Sequence, residues 1–292
     1  MEYCDLHTHS TISDGTFSPS QIVAEGLRRK LRAVALTDHN TIAGLTAFLK
    51  AAEGTGLEGI PGVEISTGYR NQEVHIVGLL QRQETYGELE DFLSVINQRK
   101  EKSNRELVAA LREAGYALSY EEIRERHQGN VNRAVITAEL IEKGYITDRK
   151  EAFDGILSAK NGLYHPPERI PAFEAIRFLS SIHAVPVLAH PYLSLTEEAL
   201  HTFLPEAKRN GLAAMETRYS AFTPQLTEAA RSLASEFGLL ESGGSDFHGG
   251  NKPDIQLGSG KGDLAVPYSF VQSLAAIHSA EYKKDDSGKI PT

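Results

Sequence analysis

Short apolar runs alternate along this chain with longer amphipathic stretches, and the apolar runs end in a narrow set of polar residues. Residues 3–7 predict a first strand, with Cys4 packed in it as a small hydrophobe. The strand runs into Asp5-Leu6-His7-Thr8-His9-Ser10. Ser18-Pro19-Ser20-Gln21 predicts a helix start, with Ser18 as N-cap, Pro19 at the first helical position and Gln21 completing a capping box. Ile22, Val23 and Leu27 give that helix an apolar face. Residues 33–37 predict a buried strand that ends in Asp38-His39-Asn40. A helix over 44–53 follows, stopped by Gly54 and Gly56. Residues 59–64 predict a strand ending in Glu64, and residues 74–80 another with His75 inside it.

The rhythm changes over 84–164, which is polar and helical. A long helix is expected over 89–113, with Phe92, Ile96 and Leu107 along it and Gly115 closing it. Shorter helices are expected over 120–126, 135–143 and 150–156, separated by Gly129, Gly144 and Gly155. This segment reads as an inserted helical cap. From residue 172 the first rhythm returns. Strands over 185–189, 213–215 and 239–242 end in His190, in Glu216 and in Gly243-Gly244-Ser245-Asp246-Phe247-His248-Gly249. A last helix is expected over 270–277, and the polar tail 283–292 is expected to be disordered. Strand, polar terminus, then helix is the repeating unit of an α/β barrel, where chemistry gathers at the C-terminal rim. The expected division is a barrel from 1–83 and 165–282, interrupted by the helical insertion.

Composition narrows the function classes. The 292 residues are 40% hydrophobic and 24% charged, as in an ordinary soluble globular protein. A net charge of −9 argues against an extended nucleic-acid surface, though not against a small nucleotide or a strand end. Cys4 is the single cysteine, so no internal disulfide can form. With no signal peptide pattern and no long apolar run, a cytoplasmic protein without a membrane span is expected.

The polar residues on or ending the predicted strands are His7, His9, Asp14, Asp38, His39, Glu64, His75, His190, Glu216, Asp246 and His248. His7 and His9 are two apart, so a strand puts both imidazoles on one face. A lone histidine in an apolar strand is ordinarily a satisfied core residue. A barrel, however, gathers every strand end at one rim, and chance does not place histidine or carboxylate at nearly all of them. Six histidines and at least three carboxylates exceed what one zinc requires. They suit two or three divalent ions, with Glu64 the candidate bridge, and Mn, Fe or Zn all match a nitrogen and oxygen donor set. Clustered ions acidify a bridging water and hold both oxygens of an in-line displacement, which favours phosphate esters.

These motifs in this order also carry a resemblance. Asp5-Leu6-His7-Thr8-His9-Ser10 with Ser13-Asp14-Gly15, Leu36-Thr37-Asp38-His39-Asn40-Thr41, Gly62-Val63-Glu64, Val74-His75-Ile76-Val77-Gly78, Leu188-Ala189-His190-Pro191 and the 243–249 segment resemble the successive motifs of the PHP (polymerase and histidinol phosphatase) family. The resemblance implies a distorted (β/α)7 barrel with a trinuclear metal centre. It implies one ion on His7, His9, Glu64 and Asp246, a second on Glu64, His75 and His190, and a third on Asp14, His39 and His248. Asp38 is then expected to orient a ligand histidine. Asp14, His39, Glu64 and His248 are the expected catalytic residues.

The helical insertion, Lys252-Pro253, Leu257-Gly258 and Glu216 after Gly211-Leu212 are similar to the bacterial nucleoside 3′,5′-bisphosphate phosphatase branch, which includes 5′-end exoribonucleases. That likeness implies Arg133 as a phosphate contact, with Arg218 and Glu216 also expected on the substrate side. Val135 and Phe222 stand where the branch commonly has histidine. The expected activity is hydrolysis of a phosphate ester of a nucleotide, or of the 5′ end of a short oligonucleotide. The alternatives are a phosphatase for histidinol phosphate or another small phosphomonoester, and a non-catalytic metal- or nucleotide-binding regulatory module. A complete set of nine ligands counts against the last.

Overall fold

Short, wholly buried strands lie at the heart of the fold. The computed structural model describes residues 2–127 and 131–286. In chain order the barrel elements are β1 (Tyr3–Asp5), α1 (Pro19–Arg28), β2 (Ala33–Leu36), α2 (Leu45–Ala52), β3 (Glu58–Tyr69) and β4 (Gln72–Leu79). The long α3 (Tyr86–Glu113) then leads to α4 (Tyr120–Arg126), α5 (Arg133–Glu142) and α6 (Arg149–Asp154). The barrel resumes with α7 (Ala172–Ser181), β5 (Val185–Leu188), α8 (Pro191–Ser194), α9 (Glu197–Arg209), β6 (Ala214–Tyr219), α10 (Pro224–Glu236), β7 (Leu240–Gly244), β8 (Val266–Pro267) and α11 (Ser269–Asp286). Ser18 caps α1 with the full reciprocal capping box, and Pro19 is its first residue.

The strands form one sheet in the order β7-β6-β5-β4-β3-β2-β1-β8. The sheet curls into a nearly closed barrel. Leu6 N donates to Gly243 O at 3.1 Å, Asp246 N to His7 O at 2.9 Å and His9 N to Phe247 O at 2.9 Å, which joins the β1 side to the β7 side. Such an approach needs Gly244, where an added Cβ would lie 2.9 Å from His7 Cα and nearer still to His7 N and Cβ. Ala and Val at Ala33, Ala35, Val77, Val187, Ala189 and Ala214 fill a core cluster that Val271 and Leu274 of α11 complete.

Three features depart from the sequence reading. The sheet has an eighth strand, the two-residue β8, antiparallel to β1. β4 is antiparallel to both β3 and β5, so the strand–helix rhythm breaks at a hairpin. Its turn is Arg70-Asn71, with φ of 48° and 65°, and positive φ at both positions is what a tight hairpin's primed turn requires. Finally, α11 runs to Asp286, so residues 283–286 are helical where a disordered tail was expected. The rest of that tail and Gly129 lie outside the described residues.

Two compact units divide the chain, one from the segments up to Leu93 and from Ile170 onward, the other Ser94–Arg169. The boundary thus falls inside α3, later than the residue 84 read from the sequence. Leu89 and Leu93 are buried and Phe92 stacks on Phe178 of α7 at 4.0 Å, so the first turns of α3 pack with the barrel. The helical unit has its own core, built on Leu107, Leu111, Ile123, Ile136, Leu140 and Leu157. Ser119, Asn132 and Asp148 cap its three short helices. Arg105 pairs there with Glu101 and Glu121. Among the described residues, no helix is long and apolar enough to cross a membrane.

Candidate metal centre

The C-terminal rim of the parallel strands gathers the predicted histidines and carboxylates. His7 and His9 follow β1, His39 follows β2, His190 follows β5, and Asp246 and His248 follow β7. Glu64 lies within β3, not at its end as the sequence reading had it, because β3 continues into the hairpin. The reversal of β4 explains His75. An antiparallel strand begins at the rim where its parallel neighbours end, so a residue early in β4, opposite Ser66, comes level with Glu64.

Glu64 is the meeting point. Its Oε1 lies 2.8 Å from His75 Nδ1 and 3.0 Å from His190 Nε2. Its Oε2 lies 3.2 Å from His7 Nε2, 3.2 Å from His9 Nε2 and 2.9 Å from His39 Nδ1. Asp246 Oδ1 is 3.3 Å from His9 Nε2 and 3.9 Å from His7 Nε2. On the other side of His9, Asp14 Oδ1 is 3.2 Å from His248 Nε2, and Asp14 Oδ2 is 3.8 Å from His39 Nε2. Among the described residues, four overlapping groups therefore have donor atoms close enough to hold an ion: His9 with Asp14, His39 and His248; His7 with His9 and Asp246; His7 with Glu64 and His190; and His39 with Glu64 and His75.

These residues fit metal ions better than they fit one another. His7 Nε2, both nitrogens of His9, His39 Nδ1, His190 Nδ1 and Glu64 Oε2 are buried with no hydrogen-bond partner. Several sit about 3 Å from a carboxylate oxygen yet point wrongly for a hydrogen bond. Buried donors and acceptors are rarely left so, and cations held in these overlapping groups would satisfy the nitrogens that face the carboxylates. Two residues of the set carry a backbone that non-glycine residues seldom adopt, His190 at φ 27° and Asp246 at φ 57°.

Burial and charge pull the ionisable groups in opposite directions. Burial works to lower the histidines, but Glu64 and Glu216 carry His7 well above its ordinary range. His9 is raised to about 9 against its burial by Asp246 and Glu64, and His75 to about 10 by Glu64 and Glu73. His39 goes the other way, to about 4, because burial and the charge of His9 outweigh Glu64. Burial would raise Glu64, Asp246 and Asp14, yet the surrounding imidazoles hold all three below the usual carboxylate range. The cluster is closed on one side and open on the other. The side chains of His7 and His9 are 0% exposed, whereas Asp14 is 34% and His39 22% exposed.

A second layer of buried polar groups holds this one. Glu216 Oε1 lies 2.8 Å from His7 Nδ1, and its Oε2 accepts the His190 N–H at 2.6 Å. Glu216, expected on the substrate side, has both oxygens engaged and is 1% exposed. Asp38 departs from expectation. It accepts from Ser10 N at 2.7 Å, Ser10 Oγ at 2.7 Å and Ser13 Oγ at 2.6 Å, so it fixes the turn that carries Asp14, and its carboxylate touches no ligand histidine. Asp5, passed over as a functional residue in the sequence, accepts from Ser245 N, Ser245 Oγ and Gly258 N and so ties β1 to the loop bearing Asp246. Tyr219 was likewise missed, its only signal in the sequence being nearness to Glu216, and Lys252 was read only as part of the family likeness; both reach Asp246.

The other expected substrate contacts are less engaged. Arg218 has its guanidinium carbon 5.9 Å from the centre of the Phe270 ring, and its Nε is buried without a partner. Arg133 belongs to the helical unit, where its guanidinium lies over Tyr164 at 4.5 Å and Phe153 at 5.3 Å.

The chain belongs to the PHP family: the PHP domain profile matches residues 5–163. It is 31% identical over 245 residues to a 5′-3′ exoribonuclease of Haemophilus influenzae, covering 84% of this chain and 89% of that one. It is 29% identical to a phosphoribosyl 1,2-cyclic phosphate 1,2-diphosphodiesterase of Eggerthella lenta (84% and 94% covered). It is 25% identical to a 3′,5′-nucleoside bisphosphate phosphatase of Chromobacterium violaceum (85% and 88% covered). In fold it matches the crystal structure of a putative metal-dependent phosphoesterase from Bifidobacterium adolescentis, with a TM-score of 0.80 at 24% identity over 94% of this chain and 96% of that one.

Proposed function

We propose that this metal-dependent phosphoesterase hydrolyses a phosphate ester of a nucleotide, such as a nucleoside 3′,5′-bisphosphate, or the 5′ end of a short oligonucleotide. The observation that carries the reading is Glu64, whose two oxygens face different imidazoles while the nitrogens of His7, His9 and His39 that face its Oε2 are buried and unpartnered. In this reading His7, His9, Glu64 and Asp246 hold one divalent ion. Glu64, His75 and His190 hold a second, and Asp14, His39 and His248 a third. Mn, Fe and Zn all suit the donors. Bound ions supply Lewis-acid stabilisation of phosphate oxygens and acidify water near neutral pH.

The chain's own residues set where that chemistry happens. His7 and His9, fully buried, hold the closed side of the cluster and keep bulk water from it. Asp14 and His39 line the open side, where a phosphate group can approach. Glu216 holds the tautomer and orientation of His7, and through the His190 N–H it also fixes the loop after β5. The exoribonuclease and the bisphosphate phosphatase among the relatives favour a nucleotide end as substrate. The cyclic-phosphate relative favours a second reading, a sugar cyclic phosphate.

The test is elemental analysis of protein prepared with Mn²⁺, followed by chromatographic detection of the hydrolysis products from a panel. The panel holds a nucleoside 3′,5′-bisphosphate, a 5′-phosphorylated trinucleotide, a ribose 1,2-cyclic phosphate and histidinol phosphate. Turnover of either nucleotide at least tenfold above the other two is expected. Less than one ion per chain, or preference for the cyclic sugar phosphate or for histidinol phosphate, overturns the first reading.

A further inference from the structure

Asp246 offers its two oxygens to different partners. Oδ1 faces the cluster, 3.3 Å from His9 Nε2, 3.3 Å from His248 Nδ1 and 3.9 Å from His7 Nε2. Oδ2 faces away and accepts two hydrogen bonds, from Tyr219 Oη at 2.7 Å and from Lys252 Nζ at 2.6 Å. The donors come from different elements, Tyr219 from the end of β6 and Lys252 from the loop after β7. Tyr219 is buried and itself held, its ring 5.4 Å from those of both His190 and Phe222.

The backbone of Asp246 is fixed independently. Its N–H donates to His7 O at 2.9 Å, and its carbonyl meets His248 Nδ1 at 2.9 Å, in the left-handed conformation already described. A carboxylate on such a backbone keeps one freedom, rotation about its own side-chain bonds. That rotation would exchange Oδ1 and Oδ2, or turn both toward an ion. Two donors on Oδ2 remove it.

We infer that Tyr219 and Lys252 are positioning residues that act together as a redundant clamp, holding Asp246 as a one-oxygen ligand to the ion shared with His7 and His9. The inference rests on the metal reading above, but concerns the retention of that ion and not the substrate. Either donor alone suffices to occupy Oδ2. Removing one leaves the carboxylate held, and removing both frees it. Loss of a supporting partner of a metal ligand ordinarily costs about 10- to 100-fold in affinity. Here that loss falls on the double variant.

The experiment is a double-mutant cycle on release of Mn²⁺. Wild-type protein, Tyr219→Phe, Lys252→Met and the double variant are loaded with Mn²⁺ and mixed with excess EDTA. Manganese still bound to protein is followed by its electron paramagnetic resonance signal. The cycle cancels the change of charge at Lys252, which affects both of its sides equally. Each single variant is expected to release the most labile ion within about threefold of wild type. The double variant is expected to release it at least about tenfold faster than the product of the single effects. Additive single effects, or an unchanged double variant, overturn the clamp.

Tyr219→Phe with Lys252→Arg keeps one donor and guards against a folding defect. It is expected to match the wild type, and release as fast as from the Phe/Met double variant would also overturn the inference. Wild-type protein that takes up no manganese removes both the clamp and the function proposed above. Wild-type protein that binds manganese while the cycle is additive removes the clamp alone.

Discussion

His7 Nδ1 lies 2.8 Å from Glu216 Oε1, across 209 positions of sequence, with both side chains buried. The other oxygen of the same carboxylate takes the His190 N–H. One acid therefore steadies two neighbouring parts of the cluster. Glu216→Gln keeps the shape and removes the charge. It is expected to weaken metal affinity by about 10- to 100-fold while leaving the circular dichroism spectrum unchanged. Titration calorimetry with Mn²⁺ reads the affinity directly, and an unchanged binding isotherm would mean that Glu216 supports nothing.

Glu64 and Asp14 should differ in what they take with them. Glu64 faces five imidazoles, whereas Asp14 faces three. Glu64→Ala is expected to lower the number of bound ions per chain more than Asp14→Ala does. Both are expected to cut turnover by on the order of 10²-fold or more, as loss of electrostatic stabilisation at a reacting centre does. Elemental analysis after gel filtration reads the stoichiometry, and equal ion counts in the two variants would remove Glu64 from its bridging role.

Without metal, stability should depend on pH in a particular way. A histidine whose pKa is higher folded than unfolded stabilises the fold while protonated. That contribution is complete below the ordinary value of 6.5 and is lost as pH rises through the folded value, about 9 for His9 and about 10 for His75. Burial also raises the Cys4 thiol above its ordinary 9.0, so the unfolded chain ionises first and the loss deepens above pH 9. His39, lowered to about 4, acts in the opposite sense and costs stability as pH falls from 6.5 toward 4. The EDTA-treated protein should therefore melt at its highest temperature near pH 6.5 and progressively lower toward pH 10. Scanning fluorimetry across that range decides it: a flat or rising melting temperature above pH 7 contradicts the charge balance described. The Mn²⁺-loaded protein should show a much flatter profile, because ions take the place of the protons.

Gly244 tests the closure of the barrel. A methyl group there would press on the backbone of His7, which cannot move without breaking the bonds between the β1 and β7 sides. Gly244→Ala is expected to destabilise by about 3 kcal/mol and to lower metal content as His7 is displaced. Urea unfolding reads the first effect, and a midpoint within error of wild type would show that the contact relaxes freely.

The clustering of these histidines and carboxylates was legible because a barrel turns strand ends into neighbours, and strand ends can be read from the short apolar runs. The supporting layer was not. Glu216 reads in sequence as one more rim acid, and only three dimensions reveal that both its oxygens are engaged. Asp5 and Asp38 sit inside recognised motifs, but their hydrogen bonds run to residues far along the chain. The direction of β4 was hidden because Arg70-Asn71 has no glycine to announce a tight turn. The end of α11 was hidden because a charged, polar stretch reads as a tail, whereas a helix already begun at Ser269 propagates through it at little cost.

The hydrogen bonds between Asp5 and Ser245 span 240 positions. On the ribosome, His7 and His9 emerge long before Asp246 and His248. A growing chain can gather early histidines long before it owns the carboxylate that completes their ion. Metal acquired during synthesis would be held by an unfinished set. A site that includes both ends of this span can therefore exist only in the closed barrel, not in a segment of the growing chain.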